Sequence, residues 1–144
     1  MKDNRRFIKS CNEKNYIFRI GEVSKMTGVS PRQLRYWEQK GYIHSERNEK
    51  MASRVFNHKN FMMVKLIKFY LDDNFSLSTS VEKAQQHLND VEATHAFVLK
   101  MHHGLVNRNG KNMIDMGYFD KEHKKRLYGY LDDAGQVVYQ VAEI

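Results

Sequence analysis

The chain has 144 residues, with 24 lysines and arginines against 17 aspartates and glutamates, which gives a formal net charge of +7. This length allows one ordinary domain, or a small domain with an appendage. No apolar run approaches the length of a membrane span, and no signal-peptide core is recognisable. The single cysteine, Cys11, excludes an intrachain disulfide and lies in a polar leader, residues 1–15, that we predict to be loosely ordered. We therefore expect a cytoplasmic protein without a membrane partner.

The positive charge is concentrated in the first part of the chain. Residues 1–60 contain fourteen Lys and Arg against six Asp and Glu, a balance of +8, whereas residues 61–144 contain ten against eleven, a balance of −1. Clustered positive charge favours a polyanionic partner, because binding releases counterions. A basic membrane-binding stretch is the rival explanation, and it fits poorly because residues 31–40 include Glu38 and lack a wide apolar face.

Two short helices are predicted on either side of a glycine turn. The first covers residues 21–27, and Gly28 stands just after it, where a left-handed cap is expected. The second begins after Ser30, a good N-cap residue for which Gln33 completes a capping box. This layout is that of a helix-turn-helix, and the alternative is a plain helical hairpin.

The second predicted helix carries side chains that suit phosphates or base edges. They are Arg32, Gln33, Arg35, Tyr36 and Lys40. Arg32 and Gln33 lie nearest the helix N-terminus and are the candidates for reading bases, while Arg35 and Tyr36 are predicted to contact phosphates or support docking. A sharply started helix with this much positive charge is suited to a DNA groove.

Three sequence stretches carry a family resemblance: residues 16–23 (YIFRIGEV), 27–38 (TGVSPRQLRYWE) and 41–43 (GYI). They resemble the opening of a MerR-family transcriptional regulator, and the similarity extends from about Tyr16 to Leu88. The resemblance implies a winged helix-turn-helix that binds operator DNA as a homodimer and distorts promoter DNA between two half-sites. It also implies a long dimerisation helix after the DNA-binding domain and an effector-sensing C-terminal end.

A two-stranded wing is predicted after the basic helix. Residues 42–43 begin one extended segment, residues 55–56 are expected to be its partner, and the polar residues 44–53 form the loop between them. The resemblance assigns contacts with the DNA backbone to Arg54 and Phe56.

Two further charges in the wing loop, Arg47 and Lys50, are candidate phosphate contacts, with solvated loop charges as the alternative. The complete predicted DNA-binding set is Arg19, Ser30, Arg32, Gln33, Arg35, Tyr36, Lys40, Arg47, Lys50, Arg54 and Phe56.

A heptad seam follows a helix that Asn57 caps and Asn74 ends. Its members are Leu77, Val81, Ala84, Leu88, Val91, His95, Val98 and His102. The family pattern would end one helix near Gln86 and begin another near Asn89. We predict that residues 90–103 form the dimerisation helix, ended by Gly104, and that it pairs through the seam from Val91 to His102. An intramolecular helix lying on the C-terminal region is the alternative.

The seam contains two histidines, His95 and His102, at positions where apolar residues are usual. A pH- or metal-responsive interface is one hypothesis. We favour polar residues that set the register, because no cysteine and no nearby quartet of ligands completes a metal site. No metal and no cofactor are predicted.

The C-terminal region, residues 105–144, is predicted to form a small β-meander. Asn109-Gly110 is a hairpin dipeptide, residues 126–131 and 136–141 alternate at strand spacing, and residues 113–119 are a third candidate strand. Its tyrosines are candidates for an apolar effector pocket, and a small core is favoured over that pocket. They are Tyr118, Tyr128, Tyr130 and Tyr139.

We therefore predict a mainly α protein with a winged helix-turn-helix domain over residues 16–88, a dimerisation helix over 89–104 and a β-rich region over 105–144. The predicted function is a homodimeric, sequence-specific transcriptional regulator of the bacterial nucleoid that acts on palindromic operator or promoter DNA. Its predicted partners are double-stranded DNA, a second copy, RNA polymerase at a promoter and an unknown small-molecule effector. The alternative is a phage excisionase-like or architectural DNA-bending protein without an effector. No enzyme motif rises above chance, so catalysis is not predicted.

Overall fold

The computed structural model describes residues 16–47 and 54–144, which fall into two compact units. One unit comprises the described residues up to Glu92, and the other begins at Ala93. The predicted leader with Cys11, Lys50 and most of the predicted wing loop lie outside the described residues.

The first unit is helical, with one small sheet. Its elements, in chain order, are β1 (Ile17–Arg19), α1 (Ile20–Thr27), α2 (Pro31–Gln39), β2 (Val55–Asn57), α3 (His58–Asp72) and the first part of α4 (Leu77–Met101). β1 and β2 pair antiparallel, with Phe18 opposite Phe56. Its core contains apolar residues from α1, α2, β2, α3 and α4.

The pairing of β2 differs from the prediction. The expected partner, residues 42–43, is not a strand, and β2 pairs with β1 instead, with Val55 opposite Arg19. Val55 also forms an isolated antiparallel bridge with Glu46. Ile43 is fully buried in the core. The segment after α2 is therefore held in place by the burial of Ile43 and not by strand pairing. The strand that pairs with β2 is β1, at the start of the domain.

The predicted helix caps are confirmed. Gly28 adopts the left-handed conformation (φ 74°) after α1, and Asn74 does the same (φ 66°) shortly after α3. The Asn57 side chain accepts a hydrogen bond of 2.9 Å from the backbone N–H of Asn60 at the start of α3. These residues mark the helix ends because they allow the unpaired backbone N–H and C=O groups of the terminal turns to form hydrogen bonds.

Helix α4 is continuous over 25 residues and has no break near Gln86. It ends at Met101, before the predicted stop at Gly104. In the first part of the helix, Ala84 and Leu88 are buried in the core of the first unit. From Asn89 to Lys100 every residue is exposed. The heptad seam is thus divided between an intramolecular part and a part that faces solvent.

The second unit contains a four-stranded antiparallel meander. Its strands are β3 (Gly104–Arg108), β4 (Lys111–Tyr118), β5 (Lys125–Leu131) and β6 (Val137–Glu143), in that spatial order. The Asn109-Gly110 hairpin is confirmed, and both residues have positive φ (52° and 78°), as a tight hairpin turn requires. Of the described residues, 46% are helical and 28% are in strands, so the prediction of a mainly α protein is wrong. The strand β3 was not predicted because its sequence, GLVNR, is short and its two apolar residues are adjacent rather than alternating.

A shielded ion pair links β4 to β5. The Arg126 guanidinium donates hydrogen bonds to both carboxylate oxygens of Asp115, at 2.8 and 2.9 Å. These bonds raise the pKa of Arg126 above its ordinary value. Asp115 also accepts a 2.9 Å bond from the backbone N–H of Gly117. The pair fixes β4 against β5 where their register shifts between Asp115 and Tyr118.

In the described part of the chain, no helix is both long and apolar enough to cross a membrane.

Replacing Asp115 with asparagine keeps the shape of the side chain but leaves the Arg126 charge without its counter-ion. We expect Asp115→Asn to lower the local stability of the sheet by about 2 kcal/mol, between the values for exposed and buried ion pairs. Amide hydrogen exchange in β4 and β5 should accelerate by at least about tenfold. The control is Asp133→Asn in the exposed β5–β6 turn, and equal exchange rates in both variants would contradict the prediction.

Candidate nucleic-acid interface

Helix α2 has one buried and one exposed face. Leu34 and Trp37 are three residues apart and almost completely buried, so they anchor the helix in the core of the first unit. The polar residues of the helix and its C-cap lie on the surface: Arg32, Gln33, Arg35, Tyr36, Gln39 and Lys40. The structure therefore brings the five predicted groups of this helix together on one outward surface. Gln39 was not singled out in the sequence, although its position on the same helix was a usable signal.

The N-terminus of α2 is closed by a reciprocal capping box. The backbone N–H of Gln33 donates to Ser30 Oγ at 3.2 Å, and the backbone N–H of Ser30 donates to Gln33 Oε1 at 3.1 Å. Pro31 occupies the first helical position. The amide oxygen of Gln33 is thereby engaged within the helix, and the first turn is fixed before any ligand arrives.

The turn between α1 and α2 is fixed by short-range contacts. The hydroxyl of Thr27 donates to the backbone oxygen of Val23 at 2.7 Å, and the N–H of Gly28 donates to the backbone oxygen of Ser24 at 2.9 Å. Val29 is buried in the core. These contacts set the angle between the two helices, so the confirmed helix-turn-helix presents α2 in one orientation.

A polar contact at the other end of α2 holds Arg54. The Nε of Arg54 lies 3.0 Å from Glu38 Oε2, and the hydroxyl of Ser45 donates to Glu38 Oε1. Both side chains of the ion pair are partly buried, with 29% and 22% of their surfaces exposed. Sequence reasoning missed this role of Glu38 and Ser45, because the partners are up to sixteen residues apart. The contact holds Arg54, a member of the predicted DNA-binding set, beside α2.

Lys40 and Tyr36 lie side by side at the C-terminal end of α2, with Lys40 Nζ 5.6 Å from the centre of the Tyr36 ring. Both side chains are exposed. The ring and the ammonium group form a joint polar and aromatic surface that suits a sugar-phosphate backbone.

The remaining members of the predicted DNA-binding set differ in their exposure to solvent. Arg19 and Arg47 are exposed, and Lys50 lies outside the described residues. Phe56 is fully buried. Its predicted contact with the DNA backbone is wrong, because the ring fills the core opposite Phe18. The resemblance gave the residue type at this position but not its burial.

The exposed part of α4 contains the predicted dimerisation residues. Val91, His95 and Val98 are exposed, and His102, just past the helix, is half-buried. The neighbouring Phe97 has 67% of its surface exposed. The sequence pattern did not single out Phe97, because it lies beside the heptad seam.

The four predicted effector tyrosines do not lie on one surface. Tyr139 pairs with Gly129 on β5, so it lies on the face opposite to Tyr128 and Tyr130. Tyr128 is buried and accepts a 3.0 Å hydrogen bond from Arg108. Tyr118 stacks on His123, with ring centres 4.1 Å apart. Strand alternation therefore separates Tyr139 from Tyr128 and Tyr130, so these candidates cannot line one pocket on one face of the sheet.

Metal-ligating residues are not gathered anywhere in the two described ranges, where no group of three or more His, Cys, Asp or Glu side chains is placed to hold an ion.

The geometry defines a helix-turn-helix protein with a cationic second helix. Residues 18–87 match the family model described as "MerR HTH family regulatory protein". A MerR-family helix-turn-helix domain therefore occupies residues 18–87, and this match supports a DNA-binding transcription regulator. No curated protein matches the chain. The resemblance identified in the sequence is thus confirmed.

Removing the Ser30 hydroxyl, which caps the start of α2, should destabilise this helix. We expect Ser30→Ala to reduce the free energy of unfolding by about 1 kcal/mol, because the Gln33 N–H loses its acceptor. Urea unfolding followed by Trp37 fluorescence measures this change, since Trp37 is the only tryptophan and is buried in the same helix. Ser24→Ala, within α1, is the control, and a loss of the same size there would contradict the assignment.

Proposed function

We propose that the protein acts as a homodimer that binds palindromic operator or promoter DNA sequence-specifically and regulates transcription in the bacterial nucleoid. Helix α2 of each subunit enters one of two successive major grooves. The observation that carries this proposal is the exposed cationic face of α2, which is held by two buried anchors within a domain of the MerR family.

The two ends of α2 have different roles in this proposal. Arg32 and Gln33 lie at the N-terminal end, which enters the groove in helix-turn-helix complexes, so they read base edges. The engaged oxygen of Gln33 leaves its amide NH2 to donate to acceptors such as purine N7. Arg35 and Tyr36, together with Lys40, contact phosphates.

Residues around α2 extend the contact with the backbone. Ser30, at the start of the helix, and Arg19, at the end of β1, contribute polar groups on the exposed surface. Arg54, Arg47 and Lys50 serve a wing that reaches the flanking phosphates. The wing is supported by the reciprocal backbone hydrogen bonds between Glu46 and Val55, at 2.8 and 3.1 Å, which close the base of the loop between them.

The second half of α4 supplies the dimer contact. Twelve consecutive residues, from Asn89 to Lys100, are exposed in helical form, including Val91 and Val98. A helical stretch of this length is marginal in water unless an apolar face is packed. The seam of Val91, His95, Val98 and His102 therefore pairs with the same seam of a second subunit.

In this proposal the second unit receives the regulatory signal. We propose that it carries any effector response on the face of Tyr118, Tyr128 and Tyr130, and that the DNA-bound dimer works beside RNA polymerase at a promoter. Cation-aromatic contacts support this face as a polar and aromatic surface, with Lys111 Nζ 4.8 Å from the centre of the Tyr130 ring.

Substitutions on α2 should separate base reading from phosphate binding. We expect Arg32→Ala to weaken operator binding by about 1–3 kcal/mol with little change for random DNA. We expect Arg35→Ala to weaken both about equally and to reduce the salt slope of binding by about 1. Fluorescence anisotropy with a selected operator and a random duplex, at several salt concentrations, measures both effects.

The control for charge alone is Lys121→Ala, which removes one exposed cation from the loop between β4 and β5. It should leave the operator affinity within about twofold of the unsubstituted protein. If all three variants lose the same affinity for both duplexes, α2 is not the reading helix and the proposed function fails.

A charge in the seam should weaken the dimer. We expect Val98→Lys to raise the dimer dissociation constant at least about tenfold, because two ammonium groups would face an apolar interface. Ala93→Lys places the same charge on the opposite side of the helix and should leave the constant unchanged. Sedimentation equilibrium measures both variants, and a dissociation constant that Val98→Lys leaves unchanged would exclude the α4 pairing.

A further inference from the structure

One face of the C-terminal sheet is apolar and exposed. Cross-strand pairing places Leu105, Ile114, Gly129 and Tyr139 in one row across all four strands, because directly opposite residues point to the same side. We call this side the apolar sheet face. Its apolar members are Leu105, Ile114, Met116, Leu127, Leu131, Val137, Tyr139 and Val141.

The centre of the apolar sheet face is closely packed. A Cβ at Gly129 would lie 3.0 Å from Met116 Sδ and 3.8 Å from Tyr139 Cδ1. The side chains from β4 and β6 thus close over the glycine between them. The result is a continuous apolar surface rather than a groove.

Much of this surface is open to solvent. Leu131, Tyr139 and Val137 keep 67%, 64% and 59% of their surfaces exposed, and Leu105 keeps 57%. Large contiguous apolar patches that stay exposed usually mark interaction sites.

The opposite face of the sheet contrasts with the apolar sheet face. There the polar groups satisfy one another: Arg126 pairs with Asp115, and Arg108 donates to Tyr128. Met113 and Tyr128, which are both buried, also lie on that side. The large side chains of the apolar sheet face are thus the more exposed ones, and they have no comparable polar pairing among the described residues.

Polar residues stand at both ends of the apolar sheet face. At one end Asn107 donates to Asn112 at 3.0 Å, and at the other Lys125 pairs in register with Glu143. An apolar centre with a polar rim is the usual anatomy of a protein interface. Because the rim charges have opposite signs, an identical face meets no uncompensated charge there.

The edge strand β6 has almost none of the residue types that usually protect a sheet edge. It carries a single charged residue, Glu143, at its end, and it contains neither lysine nor proline. Natural sheets usually protect such edges with charges, prolines or a covering element. The edge and the apolar sheet face together indicate that this side is covered in the assembled protein.

We propose that the apolar sheet face packs against the same face of a second copy of this chain, as an interface separate from the α4 seam. Residues 93–144 carry seven Lys and Arg against six Asp and Glu, so two copies repel each other only weakly. An uncharged face is self-complementary across a two-fold axis, whereas a charged partner finds nothing to pair with. Face-to-face packing of two sheets buries the exposed side chains in a core about 10 Å thick.

The test uses the full chain with Val98→Lys, in which pairing through α4 is weakened, so the remaining self-association reports on the sheet. Sedimentation equilibrium up to about 200 μM should show a concentration-dependent dimer of this chain. Adding Tyr139→Lys should raise the dissociation constant at least about tenfold, because it places a charge in the centre of the face. Adding Gln140→Lys, the matched control on the opposite face of the same strand, should leave it unchanged.

Three results would overturn the proposal. They are a monomeric Val98→Lys chain over the whole concentration range, an unchanged dissociation constant on adding Tyr139→Lys, and equal losses for Tyr139→Lys and Gln140→Lys. Val137→Lys provides a second variant of the face and should act like Tyr139→Lys, with circular dichroism confirming that the sheet is intact. The test is independent of DNA binding, so failure of the proposed function leaves its outcome readable.

Discussion

The burial of Leu34 and Trp37 is the constraint on which the DNA-facing surface depends. Each of these side chains contributes roughly 2–3 kcal/mol through its removal from water, and both must point into the same core. Because they are three residues apart, they leave only one orientation for α2 about its axis. Arg32, Arg35 and Tyr36 are then exposed as a consequence of packing rather than of any contact among themselves.

Polar contacts at both ends of α2 reinforce the orientation that the buried side chains give to this helix. The capping box of Ser30 and Gln33 closes the first turn, and Glu38 links the last turn to Arg54. A helix held at both ends loses little conformational freedom on binding, which favours affinity. The Glu38 contact also shows that a charged residue of α2 can position Arg54, which lies outside this helix.

A single heptad pattern in α4 serves two kinds of packing. Ala84 and Leu88 are buried in the first unit, whereas Val91 and Val98 continue the same stripe into solvent. Heptad spacing requires only that one side of the helix be apolar, and it does not specify which chain supplies the partner. The exposed part of this stripe and the apolar sheet face of the second unit are two separate surfaces for self-association.

The sequence by itself determined the features that rest on neighbouring residues: the caps at Ser30, Gly28 and Asn74, the Asn109-Gly110 hairpin, and the family of the domain. These features depend on backbone groups a few residues apart, so a local pattern is sufficient to predict them. Only the tertiary structure decided the pairing of β2 with β1, the burial of Phe56 and the side of the sheet that Tyr139 occupies. Those outcomes follow from competition between distant segments for the same edge or core volume, which no local pattern records.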